Sequence, residues 1–247
     1  MKTSPENFPQ EIVPSLISYL KTLQRKGIKS IYLSRSPASK TGESHDSKAP
    51  AKEDRMDNQT SAATVAEQLL ELDAKVKACT ECDLHQGRKN TVFGKGNPAT
   101  RVMFVGEGPG REEDLKGEPF VGRSGQLLTK MIAAIDLDRA DVYITNIVKC
   151  RPPENRDPQE SEVRCCEKYL TAQIDLIKPR IICALGRVAA HWLLKTKESL
   201  SALRNSDNSY HETPVLVTYH PAALLRNPNF KKGAWEDFKR LRDIINE

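Results

Sequence analysis

Residues 101–110 read RVMFVGEGPG, an apolar run that ends in a glycine-rich turn. A short run of this kind bounded by a turn suits a strand buried on both faces, and glycine at its end lets a ligand approach the main chain closely. Three more stretches have the same form: VYITNIVKC at 142–150, RIICALGR at 180–187 and TPVLVTYHP at 213–221, the last stopped by proline. Between and after them lie helical patterns, GQLLTKMIAAI at 125–135, VAAHWLL at 188–194 and WEDFKRLRDII at 235–245, the last with Trp235, Phe238, Leu241 and Ile245 on one stripe. Strands alternating with helices predict an α/β fold, a three-layer αβα arrangement around a central, mostly parallel, four-stranded sheet. In such sheets ligands sit outside the carboxyl ends of the strands, so GEGPG, Asn146, Gly186 and His220 should converge in space.

Working outward, VAEQLLELDAKVKAC at 65–79 places Val65, Leu69, Leu72 and Val76 on one helical face and delivers the chain to Cys79. Cys79 and Cys82 form a CxxC pair, Cys150 follows a strand, and Cys166 lies on an inward stripe with Val163, Leu170, Ile174 and Ile177. That stripe favours Cys166 over its neighbour Cys165 as a fourth inward thiol, and Cys183 within RIICALG reads as a small buried hydrophobe. Four thiolates can hold either tetrahedral zinc or a [4Fe-4S] cluster, and spacing separates the two poorly. A CxxC with two distant single cysteines differs from the paired CxxC of common zinc ribbons, which tilts the reading toward iron and sulfur.

The chain has 247 residues, 38% of them hydrophobic, with 38 basic and 33 acidic groups. This is enough for one substantial core. The surplus charge is shared between residues 1–64 and the remainder, so a polyanionic partner is permitted but not required. No apolar run reaches the ~18 residues that cross a bilayer, and MKTSPENFPQ lacks the pattern of a secretion signal. A cytoplasmic, nucleoid-associated protein is expected, whose reducing surroundings suit thiols as metal ligands rather than disulfides. The expected organisation is an N-terminal helical or extended appendage at 1–34 (helix 11–25, then IKSIYLS), a disordered linker at 35–62, and a catalytic domain at 63–247.

Taken together, GEGPGREEDLKGEPFVGRSGQLL at 106–128, TNIVKCRPPENRDP at 145–158 and YHPAALLRNP at 219–228 resemble the iron-sulfur uracil-DNA glycosylases of family 4. The resemblance runs from about Thr64 to the C-terminus. It implies one [4Fe-4S] cluster on Cys79, Cys82, Cys150 and Cys166, and a DNA repair hydrolase that flips uracil from DNA and cleaves its N-glycosidic bond, leaving an abasic site. The partner it implies is uracil-containing DNA, single- or double-stranded, with no membrane, and the enzyme is expected to be monomeric and monofunctional. An iron-sulfur DNA-binding or redox-sensing module without turnover is the alternative.

By this resemblance Phe120 stacks on the base, Asn146 reads its pairing edge and His220 supports the departing uracil at O2. Taken singly, Phe120 also suits a core, Asn146 a turn and His220 a surface loop. Glu107 stands in the segment that better-known relatives carry as GQDPYH, where Gly108 replaces the aspartate and Gly110 the bulky residue that excludes thymine. Either Glu107 helps to position water and offset positive charge on the sugar, or the reaction is mostly dissociative and water needs little activation; Gly106, Gly108, Pro109 and Gly110 line the pocket with main chain. Leu224, Leu225 and Arg226 follow His220 in a loop like a minor-groove wedge, while Arg151 and Arg156 are phosphate candidates.

Overall fold

A computed structural model describes residues 54–246 of the protein. The readings of the appendage at 1–34 and of residues 35–53 lie outside those residues. The first helix, α1 (Asp54–Ala78), begins inside the stretch read as linker. Residues 54–62, read as the end of a disordered linker, are helical and continue into the turns that carry the Val65 to Val76 stripe.

Hydrogen bonding joins six strands in the order β1-β3-β2-β4-β6-β5: β1 (Lys95–Gly96), β2 (Val102–Gly106), β3 (Tyr143–Asn146), β4 (Ile181–Leu185), β5 (Asn208–Tyr210) and β6 (Thr213–Thr218). The inner four, β3-β2-β4-β6, are parallel throughout, while β1 and β5 pair antiparallel at the two edges. Four strands were expected, and the two additions are two and three residues long, too short to leave a periodic signal.

The inner strands bury both faces, so their side chains divide by parity. Met103, Val105, Ile182, Ala184, Val215 and Val217 enter one core, together with Leu69 and Val76 of α1, residues of α5 (Glu160–Ile177) and of α6 (Arg187–Leu194). Val102, Phe104, Ile144, Ile181, Cys183 and Leu216 face the other way, against α4 (Arg123–Ala133) and α9 (Phe230–Asn246). This is the three-layer arrangement, sealed on the second face by Phe104 and Phe238, whose rings stack with centroids 6.0 Å apart. The expected stripe on α9 holds for Phe238, Leu241 and Ile245, but Trp235 stands 41% exposed.

Four short helices complete the domain: α2 (Leu84–Gly87), α3 (Arg111–Lys116), α7 (Leu200–Arg204) and α8 (Pro221–Arg226). Helix α8 starts at His220, whose side chain caps it, so YHPAALLR is a strand-to-helix junction and not the loop expected from sequence. Among the described residues no helix is long and apolar enough to cross a membrane.

Candidate active site and cysteine centre

The four parallel strands bring their carboxyl ends to one edge, and a cavity of about 550 Å³ opens there. Glu107, Gly108, Pro109, Gly110, Phe120, Asn146 and His220 all line it. Register explains the meeting: Gly106 pairs with Asn146 across β2 and β3, and Ile147 and Val148 continue the pairing onto the carbonyls of Gly106 and Glu107. Gly106, expected to line the pocket, is buried just behind it, between two side chains that do line it. A Cβ there would fall 2.5 Å from Asn146 Oδ1 and 2.6 Å from Phe120 Cζ, so glycine is what lets amide and ring approach one another.

Asn146 is 1% exposed, and its Oδ1 is the one buried side-chain oxygen or nitrogen without a hydrogen-bond partner among the described residues. Leaving a buried acceptor unmet costs roughly 1–3 kcal/mol, and the debt is removed only when a donor arrives. Since Asn146 borders the cavity, that donor is to be sought on the ligand.

Phe120 adopts a left-handed backbone, φ 52°, which in a non-glycine residue costs about 1–3 kcal/mol and needs surroundings that enforce it. Three contacts do so. Glu113 Oε1 accepts the N–H groups of Val121 and Gly122, both at 2.9 Å. Arg139 Nη2 donates to the carbonyl of Pro119 at 2.6 Å. Gly125 supplies the third, because any Cβ there would overlap the Phe120 carbonyl. The ring thus faces His220, with centroids 5.6 Å apart.

His220 Nδ1 accepts the N–H of Ala222 at 3.2 Å, which leaves the ring proton on Nε2. Burial, aided by the Arg226 charge, pulls its pKa down to about 4, so the imidazole is neutral near pH 7 and offers Nε2–H as a donor. Gly186, at φ 90°, admits the histidine, since a Cβ there would lie 2.8 Å from His220 Cβ. Glu107 is shifted the opposite way. Burial first, then the Asp157 charge, raise its pKa to about 7 despite Arg187 and Arg226.

The wedge expected at Leu224 and Leu225 is half corrected. Leu224 is 2% exposed and packs into the fold, because it lies on the inner face of α8, whereas Leu225 and Arg226 are exposed, with Arg226 on the cavity rim. Arg156 is committed elsewhere, donating to both carboxylate oxygens of Glu162 at 2.6 and 2.9 Å, and Arg151 Nε donates to Asn155 Oδ1. Sequence reading missed Glu113, Asp157 and Arg187, all of which line the cavity. Glu113 Oε2 lies 2.8 Å from where a Cβ on Gly110 would be, so a carboxylate occupies space that a bulky side chain at 110 would claim. The paired acidic residues of REED were the available signal.

On the first core's side a second hollow is lined by Cys79, Cys82, Cys150, Cys165 and Cys166, with Arg88, Lys149 and Tyr169. Arg88 Nη1 donates to Cys150 Sγ at 3.2 Å and to the Cys79 carbonyl at 2.9 Å, and the Lys149 N–H donates to Cys166 Sγ at 3.3 Å. Cys165 instead directs its thiol to the Glu81 carbonyl. Burial raises the pKa of Cys82, Cys150 and Cys166, the last to about 11, and neighbouring thiols add to each shift. Among the described residues no three His, Cys, Asp or Glu side chains are disposed to hold a single metal ion.

Residues 93–239 match the family model described as the uracil DNA glycosylase superfamily. The chain belongs to that superfamily. It is 44% identical over 189 residues to the type-4 uracil-DNA glycosylase of Archaeoglobus fulgidus, spanning 73% of this chain and 95% of that protein. The proteins of the same name from Sulfurisphaera tokodaii and Thermotoga maritima are 46% and 43% identical, covering 71% and 73% of this chain and 84% and 97% of theirs. Matches of this length place the chain in the type-4 group.

The close approach of Asn146 and Phe120 at Gly106 can be tested directly. Gly106→Ala should leave the fold intact but push Asn146 and Phe120 apart, lowering affinity for a bound base by about 10-fold or more, as steric intrusion into a packed site costs 1–3 kcal/mol. Titration of the purified variant with free pyrimidine, against an unchanged thermal midpoint, measures it.

Proposed function

We propose that the protein removes uracil from DNA by hydrolysing its N-glycosidic bond, with Phe120, Asn146 and His220 gripping the extruded base and Glu107 serving the sugar. Uracil excision in DNA repair follows from membership of the type-4 group, and the arrangement of the cavity supports the residue roles. The observation that carries the reading is the unpartnered Oδ1 of Asn146. Uracil presents N3–H, a donor for that oxygen, beside O4, an acceptor for the amide N–H, whereas cytosine presents an unprotonated N3 and an amino group and would leave both amide groups mismatched.

A base stacked inside a duplex is out of reach, so it must be rotated into the cavity or be met in a single strand. The Phe120 ring would then supply affinity for any base, with discrimination left to Asn146. As the C1′–N1 bond breaks, its electron pair passes to the base and gathers at O2 and N1. A neutral imidazole donating Nε2–H to O2 stabilises that anion without itself needing to be charged. Water adds to C1′ of the deoxyribose, and the Glu107 carboxylate opposes the positive charge there and accepts the water's proton. Arg226 and Leu225 at the rim are placed for phosphate and for the gap that the base leaves.

The thiol-lined hollow fits a group larger than one ion. Five cysteines line it, and apart from Cys165, whose thiol turns to the Glu81 carbonyl, four are left to face a common group, while buried thiols raised in pKa stay protonated unless a bound cationic group makes deprotonation worthwhile. We assign it a [4Fe-4S] cluster held by Cys79, Cys82, Cys150 and Cys166. Bound there, the cluster would cross-link the CxxC segment, the chain after β3 and α5, and Cys165, turned to Glu81, would be left unligated. The protein is expected to act on DNA as a monomer.

Alkali-sensitive cleavage of labelled oligonucleotides should occur at uracil for the wild type, and Asn146→Asp should gain activity at cytosine while losing it at uracil. An unaltered substrate profile would remove Asn146 from base reading. Turnover should fall as pH drops through about 7, because Glu107 is needed ionised and its folded pKa is raised to that value, and Glu107→Gln should be slow and lack this step. A rate profile showing the same inflection in the Gln variant counts against the role. Purified protein should be brown, absorb near ~400 nm and contain about four irons; colourless, zinc-replete protein would defeat the cluster assignment.

A further inference from the structure

Lys149 is fully buried, and among the described residues it meets no carboxylate. Its three ammonium protons have three acceptors instead. Nζ donates to Thr145 Oγ1 at 2.6 Å, to the Asn146 carbonyl at 2.8 Å and to Gln173 Oε1 at 2.6 Å. None of these acceptors is loose. Thr145 Oγ1 donates onward to the Phe93 carbonyl at 2.8 Å, while Gln173 Nε2 donates to the same carbonyl at 3.0 Å and to Tyr143 Oη at 3.1 Å. The side chain therefore folds back on its own segment and fastens the last two residues of β3 to α5.

The main chain of the same residue reaches the thiols. Its N–H donates to Cys166 Sγ, and Cys150 follows it directly. One residue thus holds the carbonyl of Asn146 at one end and adjoins two of the four assigned cluster ligands at the other. Buried charges are seldom found unpaired. Here Nζ is met by three neutral oxygens, two at the end of β3 and one on α5, while the contact to sulfur is made by the backbone N–H.

We propose that Lys149 is a positioning residue that couples the cysteine centre to base reading, setting where the Asn146 amide stands relative to Cys150 and Cys166. The inference rests on the uracil-reading role given to Asn146 and on the cluster assignment. Because the peptide of Asn146 is tied to Lys149 Nζ, displacement of the thiol segment would be transmitted to the amide, and loss of the lysine would loosen both ends.

The test uses the full-length holoprotein. Lys149→Met should weaken inhibition by free uracil by about 10-fold or more, since three buried acceptors lose their donor, while binding to undamaged DNA stays unchanged. The same variant should bleach faster near ~400 nm under an iron chelator. Thr145→Val, which removes one acceptor, should move both readouts in the same direction by less, and Thr145→Ser, which keeps the hydroxyl, should match wild type. Lys149→Met with wild-type uracil inhibition, or with wild-type chelator resistance, overturns the coupling. A lowered thermal midpoint with both readouts intact does so too, marking the lysine as merely structural. If Lys149→Met does not fold, the Thr145 pair decides: Val and Ser variants that behave alike overturn the proposal. Wild-type protein that excises no uracil would instead sink the functional reading, and direct titration of free uracil, with chelator bleaching, would still test the coupling.

Discussion

The parallel pairing of β2 with β3 fixes the working parts of this protein. It sets Gly106 opposite Asn146, and from that one pairing descend the placement of Asn146 at the cavity, the approach of the Phe120 ring and the emergence of Cys150 four residues further on. A slip of one residue would turn each side chain of β3 to the other face. It would carry Asn146 away from the cavity and Ile144 out of its core. The two-sided burial of β2 and β3 therefore protects specificity as well as stability, because the apolar residues resist the slip that would misplace the polar one.

Stability is given up locally where the site needs it. Asn146 Oδ1 is left without a donor, Phe120 is held in a left-handed conformation and Glu107 is partly desolvated. Each is locally unfavourable, and in the proposed reaction each is relieved, or put to use, by the base and its sugar. The surroundings are correspondingly rigid: Glu113 and Arg139 clamp the turn around Phe120, and Arg204, donating to Asp237, Tyr219 and Gly233, braces the strand end just before His220.

Much of this was legible in the sequence, and the reasons differ by element. The four parallel strands announce themselves because both faces are apolar, and the motifs at their ends are long enough to be specific. The edge strands Lys95–Gly96 and Asn208–Tyr210 are set by pairing with a neighbour, which no local pattern records. Leu224 and Leu225 look alike in a string of letters, and only the pitch of α8 buries one and exposes the other. Glu113 and Lys149 were passed over for the opposite reason: a charged residue is ordinarily solvated, and their burial depends on a partner beyond the local pattern, the Val121–Gly122 turn eight and nine residues on for one and Gln173 for the other.

The electrostatics of the cavity bear on how the bond is broken. Two ionisable groups there are pushed apart in opposite senses, His220 down to about 4 and Glu107 up to about 7, and both shifts favour the neutral form. A charged imidazolium would bind anions of every kind, phosphate included, and would draw the backbone into the base pocket; a neutral one rewards only the charge that develops as uracil leaves. In the proposed reaction Glu107 has the reverse task. Sharing the cavity with Arg187 and Arg226, it is ionised over about half the molecules near neutrality, so its carboxylate can meet a sugar cation without presenting a fixed negative charge to incoming phosphates. A dissociative reaction asks for this division: a donor at the base that costs nothing before the transition state, and an anion at the sugar weak enough to let DNA approach.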